Sequence, residues 1–249
     1  MDGSSDTVRA EALCPVHGNP VESICAQCGI RHISVCAALD SSELRELEAI
    51  MGRTYLAAGQ PFVFEGDPVE HAFNVVSGGL KLFKGLRDGR AQITGYLLPG
   101  DFLGLPPRGT YTFSAEALEK TELCRFPRVA LKRVFDKYEK LQDRFLTVVH
   151  DDLIAAQEHM LLLGRKTAME RLCTFLVRLL HRTERVGGVT APLRLPLHRT
   201  DIADYLGLTV ETVSRTFSQL RKSELIRLEK ADRVFVLDRA RLEAIADGT

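Results

Sequence analysis

The stretch from Thr200 to Lys222, TDIADYLGLTVETVSRTFSQLRK, constrains the fold of this chain more than any other part of it. Two short amphipathic segments flank Gly207, and the second repeats apolar residues at the i, i+4, i+7 spacing of a helix. Thr209 stands where the N-cap of the second helix is expected. Two short helices joined by a tight glycine-bearing turn are typical of a helix-turn-helix, so the segment predicts DNA binding.

The second helix of this motif would be the one that enters the major groove, and it is expected to begin near Val210. An ordinary helical hairpin with a solvated polar face is the alternative, and the capping and glycine placement disfavour it. We predict base-edge contacts from the exposed first turns and phosphate contacts nearby. The base-edge candidates are Val210, Glu211, Ser214 and Arg215, and the phosphate candidates are Arg199, Thr209 and Thr212.

The formal net charge of the 249 residues is zero, but the charge is unevenly distributed. Residues 161–249 hold 16 Lys and Arg against 11 Asp and Glu, an excess of +5, and the remainder holds 17 against 22. A basic C-terminal part fits phosphate binding. Because there is no run of eighteen apolar residues and no apolar signal segment at the N-terminus, we expect a soluble, cytoplasmic protein without a membrane partner.

The middle of the chain has the pattern of short strands and turns. A short helix is predicted over residues 41–51, with Ser41 or Ser42 as its cap. From about Thr54 to Phe126, closely spaced strands with Gly and Pro turns predict a β-roll or barrel, and Asp88-Gly89 is a hairpin signal.

Helices and a wing are predicted after the strands. One long helix is expected from Pro127 to about Gly164 and another over residues 167–185, and LIRLEKADRVFVLD predicts a β-hairpin wing before a last helix over 238–246. The expected fold class is therefore α+β. Its parts are a Cys-rich N-terminal segment (1–40), a β-roll sensor domain (41–126), a dimerisation helix (127–164) and a winged helix-turn-helix domain (165–249).

Apolar residues in the long helix recur at spacings of 3, 4, 3, 4 and 3. This is the a/d pattern of a two-helix coiled coil, although a helix packed on its own domain fits the short seam equally well. The residues of the predicted dimer seam are Leu146, Val149, Leu153, Ala156, Met160 and Leu163.

Six cysteines are present, and Cys25, Cys28 and Cys36 form a C-x2-C-x7-C group. Intracellular proteins rarely keep disulfides, so clustered thiols indicate a metal or redox site, and the spacing alone fits zinc and iron–sulfur equally. Candidates for a fourth ligand are Cys14, His17, His32 and Cys124.

Two cysteines lie in apolar surroundings. Cys124, in TELCRF, is by itself more typical of a small buried hydrophobe than of a ligand, and Cys173, in ERLCTFLVRLL, is predicted to lie in the core.

Three regions together resemble the Crp/Fnr superfamily of bacterial transcription regulators. These are VSGGLKLF…DGR…LLPGDFLG, the long helix, and DIADYLGLTVETVSR, and the resemblance covers nearly the whole chain. It implies a sensor domain similar to cyclic-nucleotide-binding domains. Within the superfamily, CAQCGIRHISVC followed by SAEALEKTELCRFP resembles the FNR-type, oxygen-sensing branch. The resemblance implies a [4Fe–4S] cluster held by Cys25, Cys28, Cys36 and Cys124, with a structural zinc as the alternative, and assigns Cys14 no role.

The resemblance also implies a partner set. A homodimer would bind a palindromic TTGAT-type DNA site under low oxygen and would contact RNA polymerase. No cyclic nucleotide is expected, because GDFLGLPPRGTYTFSAEA carries Leu105 and Tyr111-Thr112 where cyclic-nucleotide-binding members carry a Glu and an Arg-Ser pair. An enzyme or electron-transfer protein is the rival reading, but no second cofactor motif accompanies the cysteines.

Two positions refine the expected behaviour. Glu211 can accept from a cytosine amino group, and Val210 can pack on a thymine methyl but cannot bond guanine, which favours TTGAT over a TGTGA-type half-site. Ala156 departs from the archetypal FNR pattern, which has an Asp in the dimer helix at this place. This departure predicts a dimer that forms more readily.

Overall fold

The computed structural model describes residues 23–86, 88–104, 109–186 and 192–249. Its N-terminal part is a β-roll: two four-stranded antiparallel sheets with the orders β1-β8-β3-β6 and β2-β7-β4-β5. The predicted β-roll is therefore confirmed. The strands are β1 (Gly52–Leu56), β2 (Pro61–Val63), β3 (His71–Ser77), β4 (Leu80–Gly85), β5 (Ala91–Leu97), β6 (Phe102–Leu103), β7 (Ser114–Ala117) and β8 (Thr121–Pro127).

Apolar side chains from the two sheets pack together inside the roll. Val75 and Leu123 of one sheet contact a cluster that includes Leu80 and Ala117 of the other, and all four are essentially inaccessible to water. The turn between β3 and β4 requires glycine at Gly78, since its φ is +78° and a Cβ there would lie 2.5 Å from the Thr121 hydroxyl.

Helix α1 (Ser41–Ala49) precedes the roll, and its cap differs from the prediction. Asp40, rather than Ser41 or Ser42, accepts from the backbone amides of Ser42 and Glu43 at 2.8 and 3.0 Å. Glu43 returns the contact by accepting from the Asp40 amide at 2.8 Å. This reciprocal capping box satisfies more of the free amides at the helix start than a serine alone would.

The single long helix predicted after the roll is instead two helices, α2 (Arg128–Lys137) and α3 (Glu139–Arg165). Tyr138 separates them with an extended backbone, φ −121° and ψ 92°. The break lets the Phe135 and Phe145 rings pack at 5.3 Å, and the Gln142 amide donates to the Phe135 carbonyl at 2.6 Å. No Gly or Pro marks this break, so the sequence pattern alone did not predict it.

The C-terminal part is the predicted winged helix-turn-helix. Gly207 ends the first helix of the motif in the left-handed conformation, φ +59°, and Thr209 caps the second. No helix in the described ranges is long and apolar enough to cross a membrane. The elements are α4 (Ala168–Val186), β9 (Leu193–Arg194), α5 (Arg199–Leu206), α6 (Val210–Lys222), β10 (Ile226–Lys230), β11 (Arg233–Val236) and α7 (Arg239–Asp247).

Candidate nucleic-acid interface and cysteine site

Helix α6 turns one face inward and leaves the predicted base-reading face in solvent. Val213, Phe217 and Leu220 are buried in the core of the C-terminal domain. The four predicted base-edge residues all lie exposed on the first turns: Val210, Glu211, Ser214 and Arg215. A helix held by its apolar face and open on the opposite one can enter a major groove without rearranging its own core.

A short hydrogen-bond network organises the start of α6. Thr209 accepts from the Thr212 amide at 3.2 Å, and the two hydroxyls lie 3.1 Å apart. The Arg215 guanidinium donates to the Thr212 hydroxyl at 3.3 Å. The backbone amide of Glu211 itself, and then the Thr209 hydroxyl, lower the pKa of the Glu211 carboxyl, so the carboxylate is ionised and acts only as an acceptor. An accepting carboxylate at this position suits the cytosine amino group.

Arg199 differs from the other predicted phosphate contacts. Its guanidinium carbon lies 3.4 Å from the centre of the Phe217 ring, and its Nη1 is buried. Burial lowers the pKa of Arg199 to about 10. The side chain therefore packs against the recognition helix and would have to swing outward to reach a phosphate, whereas Thr209 is already exposed.

Basic residues that were not singled out from the sequence extend this surface. Arg221 and Lys222 are exposed at the C-terminal end of α6, and Lys230 is exposed at the tip of the wing formed by β10 and β11. The Arg227 guanidinium lies 4.1 Å from the centre of the Phe235 ring, which holds the wing's first strand to its second. The +5 excess of the C-terminal sequence was the signal that such contacts exist, but it does not say which residues make them.

Helix α3 carries an exposed apolar stripe. Leu146, Leu153 and Met160 are 63, 55 and 65% exposed, and they lie along one helix rather than scattered over the surface. Val149 and Ala156 continue the predicted seam, and Ile154 and Leu161 widen it. An exposed apolar stripe of this size on a single chain is typical of a surface that a second copy of the chain covers.

Leu163, the last predicted seam residue, has a different role. It packs on the core of the C-terminal domain, and its side chain would lie 3.2 Å from a Cβ built on Gly207. The exposed stripe therefore ends at Met160 and Leu161, and the last turn of α3 contacts the helix-turn-helix of its own chain.

The four predicted cysteine ligands belong to one region of the fold. Cys25 and Cys124 are buried in one apolar cluster, and Cys36 packs against that cluster. Electrostatic interactions connect Cys25 with Cys28, Cys36 and Cys124. Cys14 and His17 lie outside the described residues. His32 is exposed, and its Nε2 lies 3.3 Å from the Arg185 carbonyl oxygen.

The buried thiols of this site are protonated at neutral pH. Burial, and after it the negative charge of Glu48, raises the pKa of Cys25 to about 12. Burial raises the pKa of Cys124 to about 11 despite the opposing Arg53, and it raises the pKa of Cys36 against the Ser34 hydroxyl. A metal ion or cluster would have to displace these protons, because the thiolate is the ligand.

The four cysteine thiols are suitable ligands for a soft metal, but their side chains are not arranged around a common metal position. Within the described residues, no three His, Cys, Asp or Glu side chains are arranged as a metal site. Three of the four thiols, Cys25, Cys36 and Cys124, nevertheless come from two separate parts of the chain into one apolar cluster, and the half-buried Cys28 is close enough to interact with them electrostatically. Cys173 lies instead in the C-terminal core, fully buried, as predicted.

Asn74 is a buried polar residue of this region that the sequence analysis missed. It lies opposite Cys124 in the β3–β8 register, and its amide donates to the Cys36 sulfur at 3.5 Å. Its Oδ1 is buried without a hydrogen-bond partner in the described part of the chain. A polar residue within the apolar run HAFNVVS was the available signal.

The segment between Cys28 and Cys36 contacts both of the other functional regions. Arg144 of α3 donates to the Ile33 carbonyl at 3.1 Å, and His32 lies against the Arg185 carbonyl of α4. Arg144 precedes the first seam residue, Leu146, by two positions. The segment between Cys28 and Cys36 therefore contacts α3 and α4 at the same time.

Comparison with known proteins agrees with both halves of this architecture. A model of the Crp-like helix-turn-helix domain matches residues 170–245, and a model of the cyclic nucleotide-binding domain matches residues 53–138. The nitrogen fixation regulation protein FixK of Bradyrhizobium diazoefficiens is 39% identical over 227 residues, which cover 91% of this chain and 95% of that protein. The chain belongs to the Crp/Fnr family of transcription regulators.

Other relatives of this Crp/Fnr regulator are also transcription regulators and not enzymes. The transcriptional activator FnrL of Cereibacter sphaeroides is 41% identical over 88% of this chain and 90% of its own length. The activator Anr of Pseudomonas aeruginosa is 34% identical over 98% of both chains. The solved structure of FixK2 from Bradyrhizobium japonicum superposes with a TM-score of 0.73 at 35% identity, over 79% of this chain and 97% of that one.

Tyr111, one of the positions that led us to expect no cyclic nucleotide, carries a buried aromatic side chain in the β-roll. Tyr111 is buried against Phe113, with ring centres 5.9 Å apart, and burial raises the pKa of Tyr111 to about 12. Leu105, the other position on which the sequence argument rested, lies outside the described residues. A neutral phenol ring does not supply the cationic, bidentate contact that an arginine gives to a phosphate.

Proposed function

We propose that this regulator senses oxygen through a [4Fe–4S] cluster held by Cys25, Cys28, Cys36 and Cys124. The observation that carries the proposal is the meeting of the N-terminal cysteine segment with Cys124 of β8 in one buried cluster beside α3. When bound, such a cluster supplies the reactivity toward oxygen. The protein side chains provide four thiolate ligands and exclude water, and Asn74 donates a hydrogen bond to one of the sulfurs.

The DNA-binding half of the proposal is a homodimer on a palindromic TTGAT-type site. The exposed stripe on α3 supplies the dimer surface, and the open face of α6 supplies the reading surface. The segment from Cys28 to Cys36 would transmit the state of the cysteine site through the contact of Arg144 with Ile33. Relatives named as transcriptional activators favour activation over repression, and we expect contact with RNA polymerase as part of it. We expect no cyclic nucleotide to bind, because Tyr111 replaces the phosphate-clamping arginine.

Purification without oxygen tests the cofactor directly. We expect a brown protein with a visible absorption band and about four iron and four sulfide per chain. Exposure to air should remove the band and lower the affinity for a TTGAT palindrome in the same sample. A colourless protein containing one zinc would instead support the structural-zinc alternative, and DNA affinity unchanged by air would contradict oxygen sensing.

Replacing Val210 with arginine is expected to change the choice of half-site. A bidentate arginine–guanine pair is worth about 1–3 kcal/mol, so V210R should shift preference toward TGTGA-type sites by roughly tenfold or more. Val210 is exposed at the first position of α6, so the substitution should not disturb the core. Binding to both half-site types is compared at one salt concentration, because phosphate contacts make affinity strongly salt-dependent.

Replacing Arg221 with alanine provides the control, since a phosphate contact carries no base preference. R221A should weaken binding to both site types equally. An unchanged preference in V210R would show that α6 does not dock with its first turn over the bases.

A further inference from the structure

Four rings from three parts of the chain meet beneath the helix-turn-helix. We name the group of Tyr96 on β5, His159 on α3, Phe175 on α4 and Tyr205 on α5 the aromatic joint. His159 stacks on Tyr205 with ring centres 4.2 Å apart and planes 15° from parallel. Tyr205 meets Tyr96 edge-on at 5.2 Å and Phe175 at 6.1 Å. The joint connects the dimer helix, the sensor domain and the DNA-binding domain at one point.

His159 is an unusual residue to bury there. It is 9% exposed, and neither ring nitrogen has a hydrogen-bond partner of normal geometry among the described residues. Burial, then Arg178 and Arg171 on α4, lower the pKa of His159 to about 4, against the backbone of Tyr205. The ring is therefore neutral near pH 7 and is held by stacking rather than by charge.

Further contacts fix both ends of α5 around this stack. Lys81 of β4 pairs with Asp201 at 3.3 Å, and the Gln92 amide of β5 donates to the Asp204 carbonyl. Arg171 of α4 donates to the Leu206 carbonyl at 2.9 Å and to the Leu163 carbonyl at 2.8 Å. Since α5 packs directly on α6, the position of α5 determines the position of the recognition helix.

His159 also lies next to Met160, the last exposed residue of the dimer seam. The same turn of α3 thus faces the second copy on one side and α5 on the other. A dimer reads a palindrome only when its two recognition helices are held about one DNA turn, ~34 Å, apart. A rigid contact between α3 and α5 removes orientational freedom that would otherwise be lost on binding.

We propose that the stack of His159 on Tyr205 is the positioning contact that fixes the helix-turn-helix relative to the dimer helix and so sets which half-site spacing the dimer accepts. This inference rests on the proposed homodimer and palindrome, but not on the identity of the cofactor. Single half-sites need only one recognition helix, so their binding does not depend on the stack. Spacing preference is therefore the property that separates positioning from a general contribution to folding.

The test compares three variants of the full-length protein, prepared with matched metal content. H159A removes the ring, H159F keeps a flat ring without the two nitrogens, and H150A removes an exposed histidine from the same helix. Affinity is measured for a single half-site and for palindromes with the natural spacing and with one or two base pairs added or removed. Sedimentation of each variant records the dimer.

We expect H159A to lose about tenfold of its preference for the natural spacing, the size of one aromatic pair contact, with half-site affinity unchanged. H159F and H150A should keep the preference of the wild type. If H159A does not fold, H159Q removes the ring at similar side-chain volume and takes its place.

Two results would overturn the inference. A wild-type spacing preference in H159A or H159Q shows that the stack does not position the domain. Tighter binding of those variants to every site, including the single half-site, shows that the stack opposes DNA binding instead. Failure of the proposed function gives a different result, because the wild-type protein itself would then bind no palindrome. That result would also contradict this inference.

Discussion

C124A is expected to abolish cluster assembly, so that protein purified without oxygen is colourless and holds almost no iron or sulfide. Cys124 is the only one of the four proposed ligands that lies on β8, and the other three come from the N-terminal segment. Removing it leaves three thiols and a buried alanine methyl, and the one other thiol in the described part of the chain, Cys173, lies in the C-terminal core and cannot replace the missing ligand. DNA affinity without oxygen should fall to the level of the air-exposed protein.

C173A is the matched control, because Cys173 is also buried but lies in the C-terminal core. It should keep full iron and sulfide content and lose only the stability of one small core side chain. C25A, C28A and C36A should behave like C124A. The assignment of ligands is wrong if C124A keeps a full cluster while C14A loses it.

The parts of the fold that local chemistry determines could be predicted from the sequence. Gly207 as the turn between the two helices and Thr209 as the cap follow from residue type and spacing, and both stand as predicted. The β-roll followed in the same way from turn residues between short apolar runs. These features depend on a few neighbouring residues, so a sequence pattern contains enough information to place them.

Features that depend on packing between distant residues could not be predicted in this way. The break at Tyr138 brings Phe135 and Phe145, from two different helices, into contact, and no Gly or Pro marks it. Arg199 has the charge expected of a phosphate contact, but its guanidinium packs on the Phe217 ring. Leu163 follows the seam spacing, yet it contacts the core of its own chain, because the helix-turn-helix comes back to the end of α3.

The cysteine site falls between these two cases. C-x2-C-x7-C indicates a soft-metal centre by itself, but Cys124 has the pattern of a core residue and was assigned as a ligand only through a family resemblance. The structure adds an independent reason to consider it, since Cys124 shares a cluster with Cys25 and interacts electrostatically with Cys28 and Cys36. Long-range strand register, which brings β8 beside the N-terminal segment, is the information that the local pattern lacked.

Because of the exposed apolar stripe on α3, we expect the dimer to persist when the cluster is lost. Ala156 is exposed at the centre of the stripe, between Leu153 and Met160. An aspartate at this position would face its copy across the two-fold axis, and two charges about 6 Å apart repel by roughly 3 kcal/mol at an effective dielectric near 20. Ala156 lacks this repulsion, so the apolar contacts alone favour association. We expect oxygen to act on this regulator through the orientation of the DNA-binding domains more than through dissociation.

Sedimentation of the cluster-free protein at micromolar concentration should therefore show a dimer. A156D should weaken the dimer by roughly a hundredfold, the equivalent of the calculated repulsion, and shift it to monomer at the same concentration. A155D places the same charge one residue earlier, on an exposed position outside the a/d spacing, and should remain a dimer. A clean monomer for the unmodified cluster-free chain would contradict the hypothesis, because the exposed stripe alone would then be too weak to hold two copies together.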